Sequence, residues 1–235
     1  MRNYLTFDGE DLRNCGVYIS GAGVYDAPAR VYDEIEIPGR NGTLLGYEHR
    51  LENIELTYPA FMYSDFRNNI AALKGILLSR IGYKELTDTY YPEEFRLAAY
   101  AGGLEVEATQ ALTAGRFELK FNCKPQRFLN SGKVPVTFLS AGTLENPTDF
   151  PSSPWMRVYG TGTVTINGVT ITITECDAYT DIDCDIMEAY KGAASKNEFI
   201  EISGVDFPTL SPGTNQIGMT GSVTEIYIKP RWWRL

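Results

Sequence analysis

The chain of 235 residues is 43% hydrophobic and carries a formal net charge of −9. That hydrophobic content is normal for a globular protein with a core, whereas the acidic balance argues against a general nucleic-acid binder, because phosphate binding requires a basic surface. Plentiful Tyr and Phe and dispersed Gly and Pro favour strands and turns over helices.

The amino-terminal segment contains no apolar stretch of signal-peptide length, and no run approaches the ~18 apolar residues of a membrane span. We therefore expect no membrane insertion, and a protein that stays in a cytoplasm or leaves it by a route other than secretion. The spacing of the four cysteines matches no zinc or redox motif. Cys123 and Cys184 lie on the apolar side of alternating runs, which predicts buried thiols without a disulfide framework.

Residues 31–63 form the stretch around which the chain is organised, after short strand patterns at 4–7 and 17–19. Two extended runs, 31–37 and 51–58, flank the turn-forming segment PGRNGT. Because this connection is longer than a tight hairpin needs, we predict a hairpin whose tip projects from its own domain toward a partner surface. The alternative is an ordinary mobile surface loop.

Residues 64–81 are predicted to form a helix. Ser64 is suited to cap its amino terminus, Asp65 favours the positive end of its dipole, and Gly82 is suited to end it. Apolar side chains that recur every three or four residues form one stripe, which predicts packing against a core. The stripe consists of Phe66, Ile70, Leu73, Leu77 and Ile81.

Three runs of alternating residues follow the helix and predict an antiparallel sheet whose dry side the helix covers. In the first run, Phe95, Leu97 and Ala99 are assigned to the dry face and Arg96 to the wet face. The dry faces of the other two runs are Leu104, Val106 and Ala108, then Phe117, Leu119, Phe121 and Cys123. Helix, sheet and hairpin together indicate an α+β domain over residues 1–132.

Residues 133–235 lack a helix pattern and are predicted to form a second domain. Asn167-Gly168 interrupts alternating Thr, Val and Ile residues over 163–173, which indicates a hairpin with a two-residue turn. Short strand patterns at 182–186, 200–202 and 226–228 are separated only by turns, and such strands pack naturally as a two-sheet β-sandwich. The expected fold class of the whole chain is mainly β.

Asp181, Asp183 and Asp185 alternate with apolar residues, so one side of a strand would carry all three carboxylates. Such a row suits Ca²⁺, but calcium loops use turns and backbone carbonyls, and a solvated strand face is the favoured interpretation. His49 is the only histidine, and no nucleophile motif accompanies it. We therefore expect no catalytic residue, no metal site and no cofactor.

Trp155, Trp232 and Trp233 all lie in the second domain. Exposed aromatic rings stack on sugars, so the three are candidate contacts to a sugar or to a partner protein. Because Trp232 and Trp233 are adjacent on an extended chain, at most one of them is expected to face solvent. Packing in the core or in an interface is the favoured alternative.

Several short motifs occur in a fixed order along the chain. They are FDG (7–9), CGV (15–17), PGRNG (38–42), the helix after Tyr63, YP with FR (91–96), FNCKP (121–125), FPTLSPGTNQI (207–217), G-x-VT (221–224) and IKPRWW (228–233). Together they resemble the distal tail proteins (Dit family) of phages with long, non-contractile tails. The resemblance spans nearly the whole chain.

That resemblance implies a homohexameric ring around a central channel, formed by the first domain, and a galectin-like β-sandwich formed by the second. It implies that the hairpin reaches onto the neighbouring subunit. The predicted subunit interface is then Glu36, Ile37, Pro38, Gly39, Arg40, Asn41, Gly42, Thr43, Leu44 and Leu45. Such a structural protein of the virion tail, assembled in the host cytoplasm, has no enzymatic activity.

The partners implied are the tail-tube protein, a tail-tip or tail-associated lysin protein, and receptor-binding or baseplate proteins, while DNA passes through the channel without specific binding. Two alternatives stay open from the residues themselves. One is a carbohydrate-binding module that recognises a host cell-wall sugar through the second domain. The other is a hydrolase of the cell envelope, against which the missing nucleophile and acid–base constellations argue.

Overall fold

The computed structural model describes residues 2–63, 65–109 and 113–235, without the side chain of His49. The chain divides into unit 1, which comprises Met1–Arg127 and Leu235, and unit 2, which comprises Phe128–Arg234. Strands predominate throughout, and the predicted mainly β fold class is confirmed. No helix formed by the described residues is both long and apolar enough to cross a membrane.

Unit 1 is built on an antiparallel sheet. Its strands, in chain order, are β1 Leu5–Phe7, β2 Glu10–Asp11, β3 Val17–Ile19, β4 Arg30–Glu36, β5 Thr43–Leu51, β6 Ile54–Tyr63, β7 Lys84–Asp88, β8 Glu94–Tyr100, β9 Val106–Ala108 and β10 Ala114–Leu129, which begins in unit 1. The sheet follows the order β2-β1-β7-β8-β10-β6-β3, and β9 also pairs with β10. β4 and β5 form a separate two-stranded sheet.

Strands β6 and β10 supply the centre of the core of unit 1. Leu56 lies opposite Phe121, and Tyr58 lies opposite Leu119. Because residues that face each other in an antiparallel pair share one face of the sheet, these four side chains point into the same core, and all are at least 99% buried. The alternation predicted for residues 117–123 is confirmed.

Helix α1, Phe66–Leu78, packs on this core through Phe66, Leu73 and Leu77, as the apolar stripe predicted. The prediction was wrong for Ile81, the last residue of the stripe. The helix ends before Ile81, whose side chain is 91% exposed. The proposed cap Ser64 lies outside the described residues. Short 3-10 helices span Leu12–Cys15 in unit 1 and Asn130–Lys133 and Asn197–Phe199 in unit 2.

The prediction for β8 was wrong in phase. Arg96 lies opposite Leu86 of β7, on the core face, and Ala98 beside it is fully buried, whereas Leu97 is only half-buried. The alternation did not decide which face of β8 is the inner one, since Phe95, on the face opposite to Arg96, is also buried. Unit 1 therefore carries a guanidinium group on the inner face of its sheet.

Unit 2 contains two antiparallel sheets. Its strands are β11 Val136–Phe138, β12 Gly142–Asn146, β13 Trp155–Tyr159, β14 Gly162–Ile166, β15 Val169–Ile173, β16 Thr180–Asp183, β17 Glu188–Lys191, β18 Ala194–Ser195, β19 Ile200–Ile202, β20 Gly213–Gly221, β21 Glu225–Lys229 and β22 Trp233–Arg234. One sheet has the order β11-β21-β13-β16-β17-β18 and the other β12-β20-β14-β15-β19.

Both sheets of unit 2 contribute to one core. Met156, Val158 and Ile226 of the first sheet pack with Val164 and Ile171 of the second, and all five are at least 99% buried. This face-to-face packing is the predicted two-sheet sandwich. β14 and β15 are joined by Asn167 and Gly168, both with positive φ (49° and 89°), as the two-residue turn requires.

Candidate functional site: the exposed arm

The arm, residues 30–51, consists of β4, a connection and β5. β4 and β5 pair with each other and with no other strand of the described chain, so the arm is a hairpin apart from the main sheet. The predicted hairpin is present, but its second strand was misplaced. The return strand is β5, Thr43–Leu51, whereas most of the predicted return strand at 51–58 belongs to β6 in the core.

The connection 37–42 makes a turn in which the Arg40 N–H donates to the Ile37 carbonyl oxygen (3.1 Å). Gly39 and Gly42 adopt φ values of 80° and 84°, which favour glycine. All ten residues predicted as the subunit interface lie at this tip or at the adjoining strand ends, and every one but the half-buried Ile37 is exposed.

The register of the arm distributes its apolar side chains over both faces. Tyr32 lies opposite Tyr47, and Leu45 lies opposite Glu34 on the same face. Ile35 and Leu44 face each other on the opposite side. These five apolar side chains are between 40% and 57% exposed. The predicted interface omitted Tyr32, Ile35 and Tyr47, although the alternation Ile35-Glu36-Ile37 was a usable signal for Ile35.

An isolated two-stranded hairpin is marginally stable in water. Removing a large apolar side chain fully from water stabilises by roughly 1.5–3 kcal/mol, so five partly exposed ones offer several kcal/mol to any surface that covers them. The ion pair on the arm, Arg50 Nε to Glu48 Oε2 (2.7 Å), is exposed and adds little by comparison. Burial against a partner is therefore the main interaction that the arm can make.

The tryptophans are placed differently from one another. Trp232 is 5% exposed and belongs to the core of unit 2. Trp233 stacks on Phe150 with ring centroids 4.5 Å apart, and its indole N–H donates to the Pro151 carbonyl oxygen (2.9 Å). Trp155 lies half-buried on the outer face of the sheet that contains β13.

Trp155 is part of an aromatic face on that sheet, which consists of Trp155, Tyr159, Tyr179, Tyr190 and Tyr227. The Trp155 indole N–H donates to the Tyr190 hydroxyl (3.1 Å), and Lys229 Nζ lies 4.7 Å from the Trp155 ring centroid. Tyrosine and tryptophan side chains are enriched where proteins bind partners.

The sequence favoured a solvated strand face for the row of Asp181, Asp183 and Asp185, and that prediction was wrong. Asp181 and Asp183 are 4% and 7% exposed, and β16 ends at Asp183, which leaves Asp185 beyond the strand. Arg157 binds Asp181 through two hydrogen bonds of 2.6 and 2.8 Å. Among the described residues, no group of three or more His, Cys, Asp or Glu side chains is arranged to hold a metal ion. The side chain of His49 lies outside the described residues.

No protein-family model and no curated protein sequence matches the chain. Two solved structures similar to it come from phages. The Dit (gp 19.1) protein of phage SPP1, described as a paradigm of the hub adsorption apparatus of phages that infect Gram-positive bacteria, matches with a TM-score of 0.75 and 15% identity over 100% of both chains. This chain has the fold of a phage distal tail protein.

A component of the phage p2 baseplate, in its activated conformation with strontium, is also similar. Its TM-score is 0.51 at 10% identity, over 100% of this chain and 98% of the other. Both alignments extend from end to end, so the distal tail fold accounts for both units of the chain. The resemblance seen in the order of short motifs is confirmed at the level of the fold.

Proposed function

We propose that the protein is a structural hub of a phage tail, which as a homohexameric ring joins the tail tube to the tail tip or baseplate. The observation that carries this proposal is the end-to-end match, at a TM-score of 0.75, to the SPP1 hub protein. No catalytic activity is needed for this role, and the proposed location is the virion tail, after assembly in the host cytoplasm.

The arm is the proposed contact between neighbouring subunits. A ring of identical subunits arranged head to tail needs two different, complementary patches on each copy. The exposed arm supplies one of them, because it presents Leu44, Leu45 and Tyr47 to solvent while it pairs with no other strand of its own chain, as far as the structure describes it. The predicted interface residues from Glu36 to Leu45 lie at its end.

The ring is proposed to enclose a channel through which DNA passes without specific binding. The net charge of −9 supports this part of the proposal, since an acidic protein repels the phosphate backbone. The proposed partners are the tail-tube protein on one side and a tail-tip or tail-associated lysin protein on the other. Receptor-binding or baseplate proteins would attach around the ring.

The test is the mass of the purified protein in solution, measured by mass photometry. One sample contains the protein by itself, and the other contains the protein mixed with the tail-tube protein of the same phage. We expect a species of six subunits in at least one of the two samples. The double variant L44S/L45S should remain folded by circular dichroism and lose that species. The matched control is Val205→Ser, because Val205 is a fully exposed apolar residue of unit 2.

A protein that stays monomeric with and without the tube protein, and is absent from purified tails, would contradict the hub. Rings that persist in L44S/L45S would contradict only the proposed role of the arm and would leave the hub function standing.

The aromatic face of unit 2 favours a second candidate function, recognition of a cell-wall sugar. Aromatic rings stack on sugars, and Trp155 with Tyr159, Tyr179, Tyr190 and Tyr227 offers several on one face. A glycan array with the whole protein, and with Trp155→Ala as the matched variant, tests this candidate. Binding that is lost in the variant supports it, and silence of the wild-type protein across cell-wall glycans removes it.

A further inference from the structure

The arm supplies only one of the two complementary patches that a head-to-tail ring requires, and one of its faces indicates the chemistry of the other patch. This face, which we call the acidic face, is formed by residues that lie opposite each other on β4 and β5. They are Tyr32, Glu34, Glu36, Thr43, Leu45 and Tyr47. All six are exposed, and neither carboxylate forms an ion pair among the described residues. A surface that covers this face should therefore be apolar and basic.

Helix α1 carries a surface of that kind on its exposed side. Its residues recur every three or four positions, which places them in one strip along the helix. This basic strip consists of Arg67, Ala71, Lys74 and Leu78. All four are exposed, and Leu78 is 65% exposed. Neither Arg67 nor Lys74 forms an ion pair among the described residues, and the helix contains no acidic residue.

The shape of the basic strip suits a flat hairpin. Ala72 and Gly75 lie beside it and are exposed, and the space where a Cβ of Gly75 would lie is open, so a partner can approach the helix closely. The spacing of the charges also fits. The two carboxylates are two residues apart, ~7 Å along a strand, and the two cations are seven residues apart, ~10 Å along the helix axis. The long, flexible side chains of arginine and lysine can span this difference.

We propose that the acidic face of the arm of one copy docks on the basic strip of helix α1 of the next copy. The exposure of both surfaces shows that the arm leaves the basic strip of its own subunit uncovered. The two carboxylates pair with the two cations, while Leu45 and Tyr47 cover Leu78 and the small residues of the helix. Apolar burial supplies most of the affinity, and the charges select the partner and its orientation. The inference rests on the proposed ring and adds its second patch.

The test reverses the charges of each patch and then mixes the two variants, with mass photometry of each sample with and without the tail-tube protein. E34K/E36K and R67E/K74E should each remain folded by circular dichroism and lose the six-subunit species, because like charges then face each other. An equimolar mixture of the two variants should regain it. In a ring of alternating copies, every reversed arm meets a reversed helix, and every native arm meets a native helix.

The matched control is E198K/E201K, which makes the same change of charge as the arm variant at exposed positions of unit 2 and should keep the six-subunit species. A helix variant that forms rings by itself, or a mixture of folded variants that does not regain them, would overturn the docking of arm on helix and leave the hub standing. A wild-type protein that forms no six-subunit species in either sample would contradict the hub, and this inference with it.

A second measurement uses the wild-type protein and does not depend on the folding of any variant. A carbodiimide couples a carboxylate directly to an amine that it contacts. Mass spectrometry should then find peptides linked from Glu34 or Glu36 to Lys74 in the six-subunit fraction and not in the monomer. A link that is equally abundant in the monomer would place the contact within one subunit. Links from the arm that never include Lys74 would place the arm on another surface. Either result would overturn the proposal.

Discussion

Arg231 binds the carboxylate of Asp183 through two parallel hydrogen bonds, from Nη1 to Oδ1 and from Nη2 to Oδ2, each 2.7 Å long. The Asp183 side chain is 10% exposed and the Arg231 side chain 33% exposed. Two residues 48 positions apart in sequence thus form a largely buried ion pair at the end of strand β16 in unit 2. Its loss has consequences that can be measured.

Removing the charge of Asp183 should destabilise unit 2. We expect Asp183→Asn to lower the free energy of unfolding by about 3 kcal/mol, because it leaves the partly buried Arg231 without its counter-charge. Asp185→Asn, on an exposed side chain two residues further on, is the control and should change it little. Urea denaturation followed by tryptophan fluorescence reports on unit 2 alone, because all three tryptophans lie there. Equal midpoints for the two variants would contradict this view of the pair.

The same pair predicts an acid-sensitive stability. Burial acts to raise the pKa of Asp183, but the hydrogen bonds and charge of Arg231 outweigh it and lower that pKa below its usual value. A carboxylate with a lowered pKa in the folded state stabilises that state above about pH 4, and the stabilisation is lost as the pH falls through the lowered value. Tryptophan-monitored unfolding should therefore show a loss of stability below about pH 4 that is smaller in Asp183→Asn.

Two glycines of the β14–β15 hairpin allow the energetic cost of an unfavourable backbone conformation to be measured apart from the cost of a steric clash. Gly168 has a φ of 89° and open space where a side-chain methyl group would lie, whereas at Gly162, with φ of 136°, a Cβ would lie 2.2 Å from the Thr220 carbonyl oxygen. Gly168→Ala should cost about 1 kcal/mol of unfolding free energy, and Gly162→Ala at least about 2 kcal/mol more. The assay is again urea denaturation, and similar costs for both variants would contradict the close approach.

The thiols should differ in reactivity. Cys15, Cys123 and Cys184 are buried, and burial raises the pKa of Cys123 and Cys184 to about 12, while Cys176 is half-exposed. Because the thiolate is the reactive form, Ellman's reagent at pH 8 should label only Cys176 in the native protein and all four thiols in urea. Cys176→Ser should abolish the native reaction; rapid labelling that persists in this variant would place another thiol at the surface.

The helix offers a test in unit 1. Leu73 is fully buried, so Leu73→Ala should lower the stability of unit 1 by about 2–5 kcal/mol, whereas Ile81→Ala at the exposed position beyond the helix should stay within about 0.5 kcal/mol of wild type. Differential scanning calorimetry is suited to the measurement, because unit 1 contains no tryptophan. A large effect at Ile81 would show that this side chain is covered in solution.

The predictions that the structure confirms are those that depend on residues close to each other in sequence. The turn at Asn167 and Gly168, the alternation from Phe117 to Cys123 and the helix stripe up to Leu77 each depend on residues close in sequence, and the structure confirms them. Fold class and the presence of a hairpin after residue 30 followed from such local patterns too.

Two of the errors have a different origin, because each depended on a residue distant in sequence. The carboxylate of Asp181 is neutralised by Arg157, 24 positions away, which no pattern within one strand reveals. The phase of β8 depended on its pairing with β7, in which Arg96 lies opposite Leu86 on the buried face. In the arm, Thr43-Leu44-Leu45-Gly46 does not alternate, so the return strand was sought too late in the chain.

The arm should also make the sensitivity of each subunit to a protease depend on whether that subunit has assembled. Its backbone from residue 30 to 51 is held by the pairing of its own two strands, and its tip carries an exposed arginine at position 40. Brief trypsin treatment should nick a free subunit there and spare a subunit whose arm is docked. If the protein is the proposed hub and docks through its arm, the proportion of intact chain in an infected-cell extract would report how far tail assembly has advanced, without isolating a single particle.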